Sequence, residues 1–239
     1  MFDHRLLACS LFIATLLSVA QDQGASPPSE TPARPTGDYV ASHEERLSGW
    51  MTVESFHVPP GCRVFVDDDF SIHARKRILI EGDLVLRDRT LNDAVADAPE
   101  LHLSSEGSIF LLGPIRGAKG RSFAGMELAE CVGQRGGDGS SISLSAPICG
   151  IYGRITAGDP GSSGPLADGA DAGCIHLRGD DPTDEQLLAA GLEPEFLVRP
   201  EPITVVGKGG KGGDSLPGRR GGRGGSGGDI VWLKWSGPR

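Results

Sequence analysis

The chain has 239 residues, a formal net charge of −9 and only 5% aromatic residues. That length suits one sizeable domain with a short extra segment. The acidic balance argues against a general nucleic-acid binder, and so few aromatic rings exclude a broad stacking platform for sugars or bases. Glycine supplies 36 residues, about twice the usual ~7%. Thirty of them follow Leu112, so the chain changes character there.

In chain order, a short polar start is followed by a nearly unbroken apolar run over residues 6–20, ending in the small-x-small site Ser18-Val19-Ala20. This reads as a secretory signal over residues 1–20; the run is shorter than the ~20 residues a membrane span needs. The expected location is therefore secreted, periplasmic or cell-surface, with no transmembrane segment after cleavage. Residues 21–49, rich in Pro, Ser, Thr and acidic side chains, read as a disordered linker, and residues 50–239 as the folded domain. Four cysteines remain after cleavage: Cys62, Cys131, Cys149 and Cys174. Export permits disulfides, and four cysteines allow three connectivities. Cys131 and Cys174 both border glycine-rich stretches, which makes their pairing the preferred one beside free buried thiols. No CxxC is present, which leaves a structural zinc or redox site without its usual spacing.

From residue 50 the pattern is one of short alternating strands, at 52–58, 63–67 and 78–86. Residues 88–99 read as an insertion with a short helical turn. Strands resume at 101–103, 107–112, 142–144, 148–151 and 153–158, separated by glycine-rich excursions near 117–140 and 158–173. Thr183 and Gln186 form a capping-box pattern and Gly191 a stop, so a short helix is expected over 184–190, most simply as cover for exposed core. Ile203-Thr204-Val205-Val206 reads as a strand. Residues 207–228, twelve of them glycine, form a flexible loop, and 229–235 a closing strand.

A glycine-led phrase recurs: Gly82-Asp83-Leu84-Val85-Leu86, Gly107-Ser108-Ile109-Phe110-Leu111, Gly153-Arg154-Ile155-Thr156-Ala157 and Gly228-Asp229-Ile230-Val231-Trp232. The first two begin 25 residues apart. A strand unit of that size without regular helices predicts an all-β solenoid, its inward side chains stacking ~4.8 Å from those of the next pass. Asp83, Ser108, Arg154 and Asp229 then share an outward position.

This alternation of Ile-x-Leu strands, Gly-x-Ile-x-Ala strands and Gly-Gly loops resembles bacterial secreted right-handed parallel β-helix proteins of the pectin-lyase-like architecture, over roughly residues 50–235. The resemblance implies a single-stranded right-handed parallel β-helix with glycine-rich loop insertions and one short helix. The superfamily includes polysaccharide lyases, glycoside hydrolases, adhesins and passenger domains, and its arginine–lysine–aspartate constellation has no counterpart here. The architecture alone does not choose a function.

Three groups of residues are candidates for chemistry. Asp67, Asp69, Asp83 and Arg154 are charged, outward-facing residues of the kind a lyase or glycosidase needs, with surface ion pairs as the plainer reading. Asp214 and Asp229 centre two matches to a calcium-binding nonapeptide. Their windows start fifteen residues apart instead of nine, and nearby cations oppose metal binding, so a structural stretch is expected there. Lys208, Lys211, Arg219, Arg220 and Arg223 concentrate basic charge in one glycine-rich loop of an acidic protein, where exposed N–H groups and cations can hold anions; a solvated loop is the plainer reading. His102 and His176 face outward with Ser143 between them, too far apart to share a metal. The reading overall is an exported, non-catalytic surface β-helix that binds anionic polysaccharide or another cell-envelope component. The alternatives are a small polysaccharide lyase or glycoside hydrolase, and a calcium-stabilised surface protein. No cofactor is expected outside the calcium alternative.

Overall fold

A computed structural model of the chain describes residues 37–123, 126–197 and 210–234. The expected signal segment, the expected strand at 203–206 and Lys208 lie outside the described residues. The strands are β1 (Asp38–Val40), β2 (Glu45–Val58), β3 (Arg63–Ile80), β4 (Asp83–Leu86), β5 (Leu101–Ser105), β6 (Ser108–Leu111), β7 (Ile115–Arg116), β8 (Ile142–Ile151), β9 (Ile155–Thr156), β10 (Ile175–Asp180) and β11 (Ile230–Leu233). Two short helices, α1 (Leu128–Cys131) and α2 (Asp184–Ala189), and a 3₁₀ turn at Pro194–Phe196 complete the described elements. The chain is thus all-β in class, and its strand pairs are parallel. Strand structure starts at Asp38, inside the stretch expected to be a linker up to residue 49. No helix among the described residues is long and apolar enough to cross a membrane.

Alternating side chains explain the packing. In one ladder Met51, Ile72, Leu103, Leu144, Leu177 and Trp232 lie in register. In a second, Phe56, Ile78, Ile109 and Cys149 do. In a third, Val64, Leu84, Ile115 and Ile155 do. All of these belong to one buried cluster except Met51, which is half-buried against it, and Trp232, which is exposed. Each fully buried Ile, Leu or Phe contributes about 1.5–3 kcal/mol, so this shared core is the main source of stability. β3 and β8 each run through more than one ladder, and β3, β5, β8 and β6 therefore close a circuit of four strands.

The recurrent glycine phrase is out of phase with the pairing. Its Gly82 and Gly153 copies lie on the third ladder, the Gly107 copy on the second and the Gly228 copy on the first. The 25-residue step between Gly82 and Gly107 thus links two different ladders. Ser108 sits opposite Arg77, away from Asp83 and Arg154, and the expected outward column of Asp83, Ser108, Arg154 and Asp229 does not form. The finer alignments do hold: Ile142 pairs with Ile175, Ser143 with His176 and Leu144 with Leu177, and Ser143 also lies opposite His102.

The glycine-rich stretches form a packed layer instead of loops. Between Gly158 and Gly173 every third residue is buried: Gly158, Gly161, Gly164, Ala167, Ala170 and Gly173. A period of three is that of extended polyproline-II geometry, which has no internal hydrogen bonds. Its backbone groups must pair elsewhere, and they pair between segments. Gly137 donates to Arg121 O (2.9 Å), Gly161 to Gly137 O (2.7 Å), Gly158 to Ser140 O (3.0 Å), Gly213 to Ala167 O (2.9 Å) and Gly225 to Gly210 O (2.8 Å). Such close approach excludes side chains. A Cβ on Gly137 would overlap the Ala96 carbonyl, and one on Gly222 the Ala167 carbonyl. Beside this layer runs an aspartate ladder. The Asp97 carboxylate accepts the Asp138 N–H (2.8 Å), the Asp138 carboxylate the Asp171 N–H (2.7 Å), and the Asp171 carboxylate the Ser226 N–H (2.5 Å). Arg135 bridges Asp138 (2.7 Å) and Asp171 (3.0 Å), and the hydrogen bond to Asp138 raises its pKa further.

Helix α2 has the expected capping box, with Thr183 accepting from Gln186 N and the Gln186 side chain accepting from Thr183 N. Its Leu187, with Leu192, packs on Leu79 and Phe110, two outward apolar residues of the second ladder. The helix therefore covers an apolar patch on the outer wall. Residues 88–99 contain turns and no helix, whereas α1 sits within the excursion expected to be irregular. The four cysteines are free, so the expected Cys131–Cys174 disulfide is not formed. Cys131 is buried on α1, and Cys174 N donates to Ser141 Oγ.

Candidate functional site

The expected acidic cluster is tied up in ion pairs. Both Asp67 carboxylate oxygens accept from Arg46 Nη1 at 2.9 Å, and Arg87 lies 3.7 Å away. Asp68 pairs with Arg89 at 3.0 Å, and Asp69 accepts the Glu100 N–H at 2.9 Å. Asp83 sits between Arg63 (3.3 Å) and Arg116 (3.5 Å). Since Asp83 lies opposite Arg63, Asp67 is four residues further along the strand direction, or ~13 Å. Arg154, exposed just before β9, is two rows from Asp83, or ~10 Å. Asp67, Asp83 and Arg154 therefore do not converge on one reacting atom, as general acid–base catalysis requires.

A cavity of about 550 Å³ lies beside this cluster, lined by Ser48, Asp68, Asp69, Arg89, Asp97 and Glu100 among others. Its polar groups are engaged in holding the fold. The Arg89 side chain is only 7% exposed and donates to the Asp97 carbonyl (3.0 Å), the Asp67 carbonyl (3.3 Å) and Asp68. Nearby, Asp93 accepts from Arg87 (2.7 Å) and from Thr90 N (2.5 Å), and these bonds hold its carboxyl well below the usual carboxylate range. Sequence reasoning missed the Arg87–Asp93 lock and the aspartate ladder, because both join residues whose partners lie in irregular segments.

The basic stretch is built differently. Lys211, Arg219, Arg220 and Arg223 are all exposed. Lys211 lies 3.6 Å from Asp214, whereas Arg219, Arg220 and Arg223 have no carboxylate partner among the described residues. Their backbone is held in place. Gly218 has φ 76° in a turn where Arg219 N donates to Leu216 O at 2.9 Å. Arg223 N donates to the Asp168 carboxylate at 2.7 Å, and Arg223 O accepts from Gly169 N at 2.6 Å. The segment expected to be a flexible loop is thus anchored in the glycine layer, with Arg219 and Arg220 at its turn and Arg223 where it rejoins the layer.

Of the calcium candidates, Asp214 faces Lys211, and Asp229 is exposed just before β11 with its carbonyl accepting from Ile175 N. Among the described residues, no group of three or more His, Cys, Asp or Glu is arranged to hold a metal. His102 pairs with Glu100 at 3.3 Å, and both His102 and His176 are exposed. Cys149 is fully buried in the core, and burial pushes its thiol pKa up to about 12, assisted by the charge of Asp181. It is therefore unsuited to nucleophilic work. No family model, curated protein or solved structure matches the chain.

Proposed function

We propose that the chain is an exported, non-catalytic right-handed parallel β-helix that binds anionic polysaccharide at the cell surface. The winding is supported by three parallel ladders in which each pass of the chain pairs with the next around one common core. The observation that carries the binding reading is the arginine tip. Arg219, Arg220 and Arg223 are exposed and lack carboxylate partners among the described residues, in a chain of net charge −9, and hydrogen bonds hold the backbone at Arg219 and Arg223. An arginine on a held backbone loses less entropy on binding a carboxylate or sulfate than one on a mobile loop. Unpaired arginines in an acidic protein are also free to engage an external anion.

The test is retention of the full chain on immobilised polygalacturonate at increasing salt. Replacing Arg219, Arg220 and Arg223 together with glutamine is expected to lower the salt needed for elution. Unchanged retention would end this reading. The competing reading, a small polysaccharide lyase or glycoside hydrolase, requires converging acid and base groups, and the separation of Asp67, Asp83 and Arg154 counts against it.

A further inference from the structure

The outer side of the third ladder carries a second positive site, remote in sequence from the arginine tip. Phe65, Val85, Arg116 and Thr156 lie in register there. Two cavities, of about 480 and 400 Å³, open on this column and share Arg116 and Gly117, so they form one groove. Phe65, Val85 and Leu86 line the first. Arg116, Arg154, Thr156 and Pro114 line the second.

Charge is distributed unevenly along this groove. At the Phe65 end, Arg46 and Arg87 are matched by Asp67 and Asp93 at 2.9 and 2.7 Å. Arg46 also lies over the Phe65 ring at 5.7 Å. At the other end, Arg63 and Arg116 share the single carboxylate of Asp83 at 3.3 and 3.5 Å, and Arg154 has no acidic partner among the described residues. Three guanidiniums against one carboxylate leave an excess of two positive charges at this end, partly offset by Asp88, which lines the first cavity. A solvated arginine accounts for Arg154 alone. It does not account for a second, loosely paired arginine lining the same cavity beside a hydroxyl.

We infer that this groove binds one uronic-acid unit. The sugar carboxylate bridges Arg116 and Arg154 through charge-assisted hydrogen bonds, the Thr156 hydroxyl meets a ring hydroxyl, and the C–H face of the ring turns towards Val85. The cavity sizes fall within the range of small-ligand sites, ~300–1,000 Å³. This inference takes its ligand class from the anionic-glycan reading above but does not depend on the arginine tip.

The experiment is calorimetric titration of the full chain with free glucuronate, with glucose and inorganic sulfate as parallel probes. Glucuronate is expected to bind at least tenfold more tightly than either. Arg154→Gln is expected to weaken it at least tenfold, while Arg75→Gln, which removes an equal charge from an exposed arginine paired with Glu54, changes it less than twofold. Binding of glucose as tight as that of glucuronate would overturn the carboxylate contact, and equal binding of sulfate would overturn the ring contact. Equal loss in both variants would reduce the effect to net charge and refute the site. On the column the replacement of Arg219, Arg220 and Arg223 reads the arginine tip, and in the titration Arg154→Gln reads the groove, so either can fail alone.

Discussion

Gly137→Ala is the sharpest perturbation of this molecule. A Cβ there would overlap the Ala96 carbonyl and press on Arg121 N. The residue also donates to Arg121 O and accepts from Gly161 N, at 2.9 and 2.7 Å. Overpacking of this kind costs about 1–3 kcal/mol, and strain on two hydrogen bonds costs about 0.5–1.5 kcal/mol each. Reduced freedom of the unfolded chain returns about 0.4–1 kcal/mol. The expected net loss is roughly 2–5 kcal/mol, a large share of the ~5–15 kcal/mol that stabilises a typical domain. Gly224 supplies the internal control, because a Cβ there would meet only the Gly210 carbonyl oxygen, at 3.6 Å. Gly224→Ala is expected to be neutral or stabilising by up to about 1 kcal/mol. Urea unfolding of the two variants at equal m-value measures the difference. If both fell within about 0.5 kcal/mol of wild type, the range of ordinary surface substitutions, the close-packed glycine layer would be refuted.

Other outcomes follow from named contacts. Leu187→Ala removes the anchor of α2 on Leu79 and Phe110, and a buried leucine lost this way costs about 2–5 kcal/mol; proteolysis within 181–197 should accelerate well before global unfolding, and unaltered cleavage would contradict the covering role. Thr183→Ala removes the cap and should cost about 1 kcal/mol, seen as earlier loss of protection at Leu187 N–H. Cys149 titrates near 12 in the fold against an ordinary 9.0. Its raised pKa stabilises the fold fully below pH 9 and progressively less above it, so stability should fall by roughly 1 kcal/mol from well below pH 9 to pH 10 on this account alone. Cys149→Ser should flatten that alkaline slope in denaturant titrations at a series of pH values. Calcium should leave the thermal midpoint unchanged, because Asp214 faces Lys211; a rise with calcium that chelator reverses would contradict this.

Much of the strand structure was legible because alternation is local. Leu101-His102-Leu103, Ile142-Ser143-Leu144 and Ile175-His176-Leu177 announce both their strands and their register. The α2 helix was legible because Thr183, Gln186 and Gly191 state its limits within nine residues. The ladder assignment of the glycine phrases was not, since Gly82 and Gly107 look alike while occupying different walls. Nor was the packed state of 158–173 visible, or the backbone pairing of Gly210, Gly213, Gly222 and Gly225, because a glycine run reads as flexible until its partners are known. The period of three at Gly158, Gly161 and Gly164 was the available signal. The groove of Arg116 and Arg154 was hidden for a related reason: two residues distant in the chain become neighbours only when Ile115 meets Ile155.

Amide hydrogen exchange in the glycine segments tests most directly whether the arginine tip stands on a rigid frame. The N–H groups of Gly137, Gly158, Gly161, Gly213 and Gly225, each bonded to another segment, are expected to be protected to nearly the same degree as Leu103 in β5, opening only in large-scale unfolding. Exchange of these glycines at the unprotected rate, with Leu103 still protected, would show a loose loop and contradict the account.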